Sequence, residues 1–325
     1  MKVAYYFRSQ RKGVYSIEVL FRRILSSLDT RVSAVSYTVS LSNVFSTWMK
    51  ALLNPADVYH ITGHVNFVAL GLKGNQTILT VHDVGHYTQT LKGWKKQVYK
   101  KIWFDWPLRK VAFITTVSEF SKQQLITVCS VDASKVKVIH NPFPSLYKKV
   151  EKLELSNKPK ILQIGAGEHK NLSRLIEAVK GLPCELLLIR PYDATIDQLL
   201  KKESISARWF SDLTDEAVQD LYQQSDLVFF ASTYEGFGMP ILEAQAVGRA
   251  VITSNCASMP EVAGNGAVCV DPYHTSEIKE AIVRLLSDDT FRNACIEKGY
   301  NNLQRFHPDI IAQEYLKLYT QICSK

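Results

Sequence analysis

The sequence predicts an α/β protein built from two doubly wound parallel-sheet domains, and three observations predict it. First, 325 residues is about twice an average domain. Second, short apolar runs alternate with helix-period stretches along the whole chain, the pattern of parallel strands joined by crossover helices. Third, the alternation comes in two series, separated by Pro142, Pro144 and the polar stretch 148–159, which reads as a linker. Composition agrees with this picture. Apolar content of 46% and charged content of 22% are those of a folded globular chain and exclude disorder.

The elements follow in order. Residues 2–7 form a first strand rather than a signal peptide, because basic residues follow and no small-residue cleavage site does. Ile17, Leu20, Phe21, Ile24, Leu25 and Leu28 then recur at helical spacing, the stripe of a helix packed by one face on a sheet. Further strands are expected at 32–39, 57–61, 77–81, 112–117 and 136–139. The second series opens at 160–164 and continues with 185–189, 227–231, 250–253 and 267–270. A last amphipathic helix, 309–322, carries Ile310, Ile311, Tyr315, Leu316, Leu318 and Tyr319. No apolar run approaches the ~20 residues needed to span a bilayer. The cysteines, Cys129, Cys184, Cys256, Cys269, Cys295 and Cys323, lack close spacing and read as reduced cytosolic thiols.

Charge is unevenly distributed. Residues 1–150 hold 21 Lys+Arg against 7 Asp+Glu, net +14, and the remainder holds 18 against 24, net −6. The first half should be drawn to something anionic: nucleic acid, anionic lipid or a phosphorylated substrate.

In open parallel sheets ligands bind beyond the carboxyl ends of the strands. The richest such place is Ser232-Thr-Tyr-Glu-Gly-Phe-Gly-Met-Pro-Ile-Leu-Glu243. A buried strand ends at Ala231, a glycine-bearing loop follows, and a helix is expected from Pro240, a residue suited to the first helical turn. Gly236 and Gly238 let backbone approach a ligand, and the amides of a helix start attract anions. Glu235 and Glu243, the latter expected in the first helical turn, add two carboxylates to the same volume. Carboxylates suit sugar hydroxyls and amides suit phosphate, so a nucleotide sugar satisfies both. Spacing alone leaves a blander alternative, in which Glu243 complements the helix dipole and Glu235 is a solvated loop residue.

The stretch from Glu235 to Glu243 resembles the Glu-x7-Glu signature of the retaining GT-B glycosyltransferases of family 4, the group 1 glycosyl transferases. The resemblance continues through Glu243-Ala-Gln-Ala-Val-Gly248, Ser258-Met-Pro-Glu261-Val and Val270-Asp-Pro272. Earlier it includes Thr80-Val-His-Asp83, Val117-Ser-Glu-Phe-Ser121, Val138-Ile-His-Asn141 and Lys170-Asn-Leu172. It implies a GT-B architecture, two Rossmann-like domains facing across a cleft: 1–157 on the acceptor side, 158–305 for the nucleotide sugar, and 306–325 as a helix crossing back to the first domain.

Carried over by position, the resemblance gives Glu235 the donor-sugar hydroxyls, Glu243 the ribose hydroxyls, and the amides of Phe237, Gly238 and Met239 the sugar and diphosphate. Lys170 would stabilise charge on the departing nucleotide. Relatives often have an arginine beside that lysine; here Ala166 and His169 stand at those places, so either Lys170 acts with less help or another cation such as Arg190 substitutes. His82 would lie near donor phosphate or acceptor hydroxyl, or else be structural. Gly13, where relatives have paired glycines, is either a phosphate contact or a plain turn.

The implied reaction moves a hexose from a UDP- or GDP-sugar to a hydroxyl of a glycan or lipid-linked acceptor, with retention and with no cofactor. No spacing among His60, His64, His82 and His86 makes a metal site, so none is expected. A nucleotide-sugar epimerase or a phosphorylase-like enzyme keeps the fold with other chemistry, and a non-catalytic binder of anionic polymer is the reading from another class. The signature glutamates weigh against the last, and nucleic acid is not expected as a partner. From Leu91 to Lys110, seven cations accompany Trp94, Trp103 and Trp106 with Asp105 as sole acid. That composition suits the anionic face of the cytoplasmic membrane, a solvated basic face with inward tryptophans, or acceptor phosphate.

Overall fold

The computed structural model describes residues 1–9, 16–28, 30–144, 146–150 and 155–324. The chain forms two compact units, Met1–Pro142 with Phe306–Lys325, and Phe143–Arg305.

The first unit is a six-stranded parallel sheet of β1 (Lys2–Arg8), β2 (Ser33–Val39), β3 (Val58–Ile61), β4 (Thr77–Val81), β5 (Phe113–Thr116) and β6 (Val136–Val138). Their order is β2-β1-β3-β4-β5-β6. The central strands are covered on both faces, and all five residues of β4 are buried, which is why such strands read as continuous apolar or threonine runs without alternation. One face packs under the helices Val44–Leu53, Gly93–Lys100 and Glu119–Cys129, around Tyr6, Ile61, Leu79, Ile114 and Leu125.

The other face receives the helices Ser16–Ser26 and Pro308–Cys323. Tyr5 donates to the Tyr319 hydroxyl (3.0 Å), which lies 2.7 Å from His60 Nδ1. His60 Nε2 lies 2.8 Å from Thr80 Oγ1, itself 2.7 Å from Thr115 Oγ1. These are buried groups, so each bond made avoids a large desolvation penalty. The relay therefore fixes the last helix to β1, β3, β4 and β5.

The second unit is a six-stranded parallel sheet of β7 (Lys160–Ile164), β8 (Glu185–Ile189), β9 (Ser206–Phe210), β10 (Leu227–Phe230), β11 (Ala250–Ser254) and β12 (Val268–Val270), in the order β12-β11-β10-β7-β8-β9. The strand order reverses between β7 and β10 here, and between β1 and β3 in the first unit. Those reversals are where doubly wound sheets open a crevice for ligands.

Three expectations need correction. The division between units falls at Pro142–Phe143, earlier than 157, because the start of the expected linker is built into the second unit. Tyr147 packs edge-on against Tyr222, Val150 N–H donates to Val247 O, and Arg249 donates to Val150 O. β9 was not expected at all. The helix after β10 spans Met239–Val247, so Glu243 stands just beyond its first turn.

Candidate active site

The loops leaving β7 and β10 are tied together by backbone and side chain. Asn171, buried in a left-handed conformation, donates to Ala231 O (3.0 Å) and Pro272 O (2.7 Å), stitching the exits of β7, β10 and β12. Thr233 N–H donates to His169 O at 2.8 Å. Ser258 Oγ, after β11, lies 3.0 Å from Glu235 O and 2.7 Å from Phe237 O.

Within this frame Lys170 Nζ donates to Glu235 Oε1 at 2.6 Å, both side chains under one-fifth exposed. The ammonium also sits 4.8 Å from the centre of the Phe230 ring. Gly165 makes this reach possible: its φ is +98°, and a Cβ there would stand 2.7 Å from Lys170 Cε. Two of the predicted residues are thus brought into contact at the strand reversal.

Gly238, at φ +111°, turns the chain into the helix Met239–Val247, whose N-terminus has proline in its first turn and no side-chain cap. Phe237 is buried beside it. Glu243 is oriented by a residue that sequence reasoning missed: the buried Tyr222 donates to Glu243 Oε2 at 2.7 Å. Burial, and then the adjacent carboxylate, hold the Tyr222 hydroxyl well above its ordinary range, so it stays a donor.

Arg190 follows β8, and its guanidinium lies 3.8 Å from Asp193. Among the described residues its Nε is buried without a hydrogen-bond partner, as are Gln163 Oε1 on β7 and Ser232 Oγ after β10. Strands β10, β7 and β8 are neighbours, so these three residues stand at or just beyond the carboxyl ends of adjacent strands, the end from which the loops of Lys170 and Glu235 leave. Buried polar groups are normally paired, and unmet atoms of this kind are what a polar ligand would satisfy.

In the first unit His82 follows β4. Its Nε2 lies 2.8 Å from Thr62 O, which can only accept, so Nε2 carries the proton and Nδ1 the lone pair. Burial first, then His64, lowers its pKa to about 4, leaving the ring neutral at pH 7. Asp83 does not pair with it; Oδ1 accepts from Gly85 N–H and shapes the turn. A recess beside them is lined by His64, His82, Asp83, His86, Tyr99 and Trp103. Tyr99 and Trp103 stack at 4.9 Å and 12°, and π-helical turns at His86–Thr90 and Lys101–Asp105 border the same recess. Gly13 lies outside the described residues.

The segment from Leu91 to Lys110 is the helix Gly93–Lys100, the π turn and the helix Trp106–Lys110. Trp103 turns inward against Phe67, whereas Trp94 and Trp106 face outward. Lys100 is paired with Asp105, Lys110 donates to Leu70 O, and Lys96 lies over Tyr87. Among the described residues no helix is long and apolar enough to cross a membrane, and no group of His, Cys, Asp and Glu could hold a metal ion.

Comparison with known proteins places this geometry. The chain is 28% identical over 253 residues to O-antigen chain mannosyltransferase B of Escherichia coli, covering 71% of this chain and 66% of that protein. It is 32% identical over 137 residues to the serotype-specific mannosyltransferase WbdA of E. coli, covering 38% of this chain and 17% of that protein. Among solved structures, Anabaena Alr3699/HepE in complex with UDP superposes with a TM-score of 0.81 at 17% identity, over 99% of this chain and 100% of that one. That likeness fixes the fold as GT-B. Residues 16–144 match Glycosyltransferase Family 4 and residues 148–302 match Glycosyl transferases group 1. The chain therefore belongs to the family 4, group 1 glycosyltransferases.

Proposed function

We propose that this protein transfers a hexosyl group, with retention at the anomeric carbon, from a UDP- or GDP-sugar to a hydroxyl of a glycan or lipid-linked acceptor in cell-surface polysaccharide synthesis. The observation that carries the reading is the Lys170–Glu235 pair, 2.6 Å apart at the strand reversal of the second sheet. A cation and a carboxylate side by side suit the two ends of a sugar diphosphate. The similarity to mannosyltransferases favours a mannosyl group, and a lipid-linked acceptor would put the protein at the cytoplasmic membrane face.

In this reading Glu235 accepts from hydroxyls of the donor sugar while Lys170 shifts to the diphosphate. The amides of Phe237, Gly238 and Met239 add the field of the helix start. Glu243, with one oxygen held by Tyr222, accepts from the ribose hydroxyls. Arg190 supplies the second cation. As the bond from the anomeric carbon to the phosphate oxygen breaks, its electron pair goes to the nucleotide, where Lys170 stabilises the charge. The acceptor oxygen bonds to the same face of that carbon, and its proton passes to the leaving phosphate. His82, neutral with Nδ1 as acceptor, orients the attacking hydroxyl instead of serving as a strong base. Lys170, Arg190 and the amides take the cationic duty, without a metal.

A thermal-shift panel of UDP, GDP, ADP and their hexose conjugates tests the reading, because a ligand that binds only the folded state raises its stability. One nucleotide should raise the melting temperature, and its sugar should be transferred to a glycan with retention by NMR. Rearranged sugar with no acceptor product would show an epimerase instead, and no shift from any nucleotide would end the proposal.

A further inference from the structure

The helix Val44–Leu53 packs on the first sheet through Val44, Thr47, Trp48 and Ala51. Its remaining apolar residues have no cover: Phe45 is 72% exposed, Met49 42%, Leu52 67% and Leu53 74%, with Leu41 just ahead at 67%. At 100° per residue Phe45, Met49, Leu52 and Leu53 form one stripe about 100° wide, running from the flank of the buried face around to the side opposite it. Trp48 shows which flank this is. Its Nε1 donates to Val68 O at 2.9 Å, so it points to the turn Asn66–Gly71, and the stripe continues around the helix on that side. The same turn also packs against the helix Trp106–Lys110, from which Lys110 donates to Leu70 O. Trp106 on that helix is 50% exposed.

The helix that carries the apolar stripe and the helix that carries the exposed indole thus pack on one turn. Lys50 on the same helix as the stripe, Lys73 two residues beyond the turn, Lys101, and Arg109 on the helix of Trp106 are exposed as well. Between Leu41 and Val81 Asp57 is the sole acid, and its Oδ2 accepts from Lys2 N–H. The first unit as a whole holds 21 Lys+Arg against 9 Asp+Glu, net +12.

We infer that this surface docks on an anionic phospholipid bilayer, Phe45, Met49, Leu52 and Leu53 entering the acyl boundary while the exposed cations meet headgroups. Charge selects this occupant. A second copy would bring two strongly positive units together, whereas an anionic bilayer complements them. The apolar anchor is therefore the helix Val44–Leu53, and the basic stretch from Leu91 to Lys110 contributes chiefly Trp106 and charge. The inference rests on this surface and not on the transfer reaction, and it would hold if the donor were misassigned.

Flotation with phosphatidylcholine vesicles, with and without phosphatidylglycerol, tests it in the full chain. Wild type should float with phosphatidylglycerol vesicles at low salt and be released as salt rises. Phe45→Ser, Leu52→Ser and Leu53→Ser together should lower the bound fraction about tenfold or more, with the nucleotide-induced thermal shift unchanged. Leu53→Asp alone, at a site too exposed to disturb the core, should weaken binding in the same direction. Lys50→Glu with Lys73→Glu should reduce binding to anionic vesicles. Wild type left unbound with phosphatidylglycerol vesicles, or a triple variant that floats like wild type, would overturn the assignment. So would a dimer in solution that the triple variant dissociates without vesicle binding. Loss of the nucleotide shift alone would count against the transfer reading and leave the docking surface standing.

Discussion

Lys170 and Glu235 are paired with each other, so in the proposed reaction each exchanges its partner for a piece of donor. Lys170→Ala removes one preorganised charge-stabilising donor and should slow transfer by roughly 10²–10³. Glu235→Gln should nearly abolish transfer with little loss of fold stability. Because the two side chains touch, their effects should not add, and a double variant no slower than the worse single would show the coupling. Additive losses in kcat would argue that they act apart. Tyr222→Phe leaves Glu243 Oε2 short of a charge-assisted bond worth about 1.5–3 kcal/mol. Nucleotide affinity should fall about tenfold or more by calorimetry, with kcat for bound donor less affected; unchanged affinity would dismiss Tyr222 as a positioning residue. The buried histidines give a pH prediction. Burial lowers His60 to about 3 and His82 to about 4, while the unfolded chain binds these protons near 6.5. Their contribution to stability is therefore complete above about pH 6.5 and lost as pH falls toward 4 and then 3. Ring carbon NMR shifts of both should stay at the neutral position from pH 8 to 5; a midpoint near 6.5 for either would refute the burial argument.

Among the elements, what could be read from the sequence was the short apolar or β-branched run, in edge strands such as β2 as well as in buried ones. β4, β7 and β8 fall at the expected residues, and the other expected strands differ by one or two at their ends. β9 escaped because Ser-Ala-Arg-Trp-Phe offers no such run, with an arginine at its centre and no fully buried residue. The site divides in the same way. The residues of the Glu-x7-Glu loop and Lys170 are local in sequence and could be named. Tyr222 reaches Glu243 only because two helices pack together, and Asn171 clamps three strand exits that are distant in sequence, so neither role has a local signature. The relay through Tyr319 also depends on residues far apart in the chain. Tyr319→Phe removes the hydroxyl between Tyr5 and His60 and strands a buried ring nitrogen, at a cost of about 1–3 kcal/mol. Urea unfolding should show a lowered midpoint with an unchanged slope, and a midpoint equal to wild type would make the relay incidental.

For the whole molecule, the alternation of strands and helices was enough to give two doubly wound sheets, because a parallel sheet has few other ways to bury both faces. The boundary between the units was misplaced because a polar stretch can run along a domain surface as readily as between domains, and Val150 and Arg249 show it doing so. Transfer should survive EDTA, since Lys170, Arg190 and the helix amides are assigned the cationic duty; activity lost to chelator and restored by Mg²⁺ or Mn²⁺ would overturn that assignment. The helix Pro308–Cys323 has a consequence for synthesis. The ribosome makes the chain from its amino end, and folding units ordinarily complete themselves in that order. Here the first sheet lacks one of its covering helices until residues beyond 307 emerge, whereas the second unit is one continuous stretch and has everything it needs earlier. The half made first is finished last, and until then Tyr5, His60 and Phe21 are left without Tyr315 and Tyr319. A nascent chain halted between the two events should hold a protease-resistant second unit beside a first unit that is still cut.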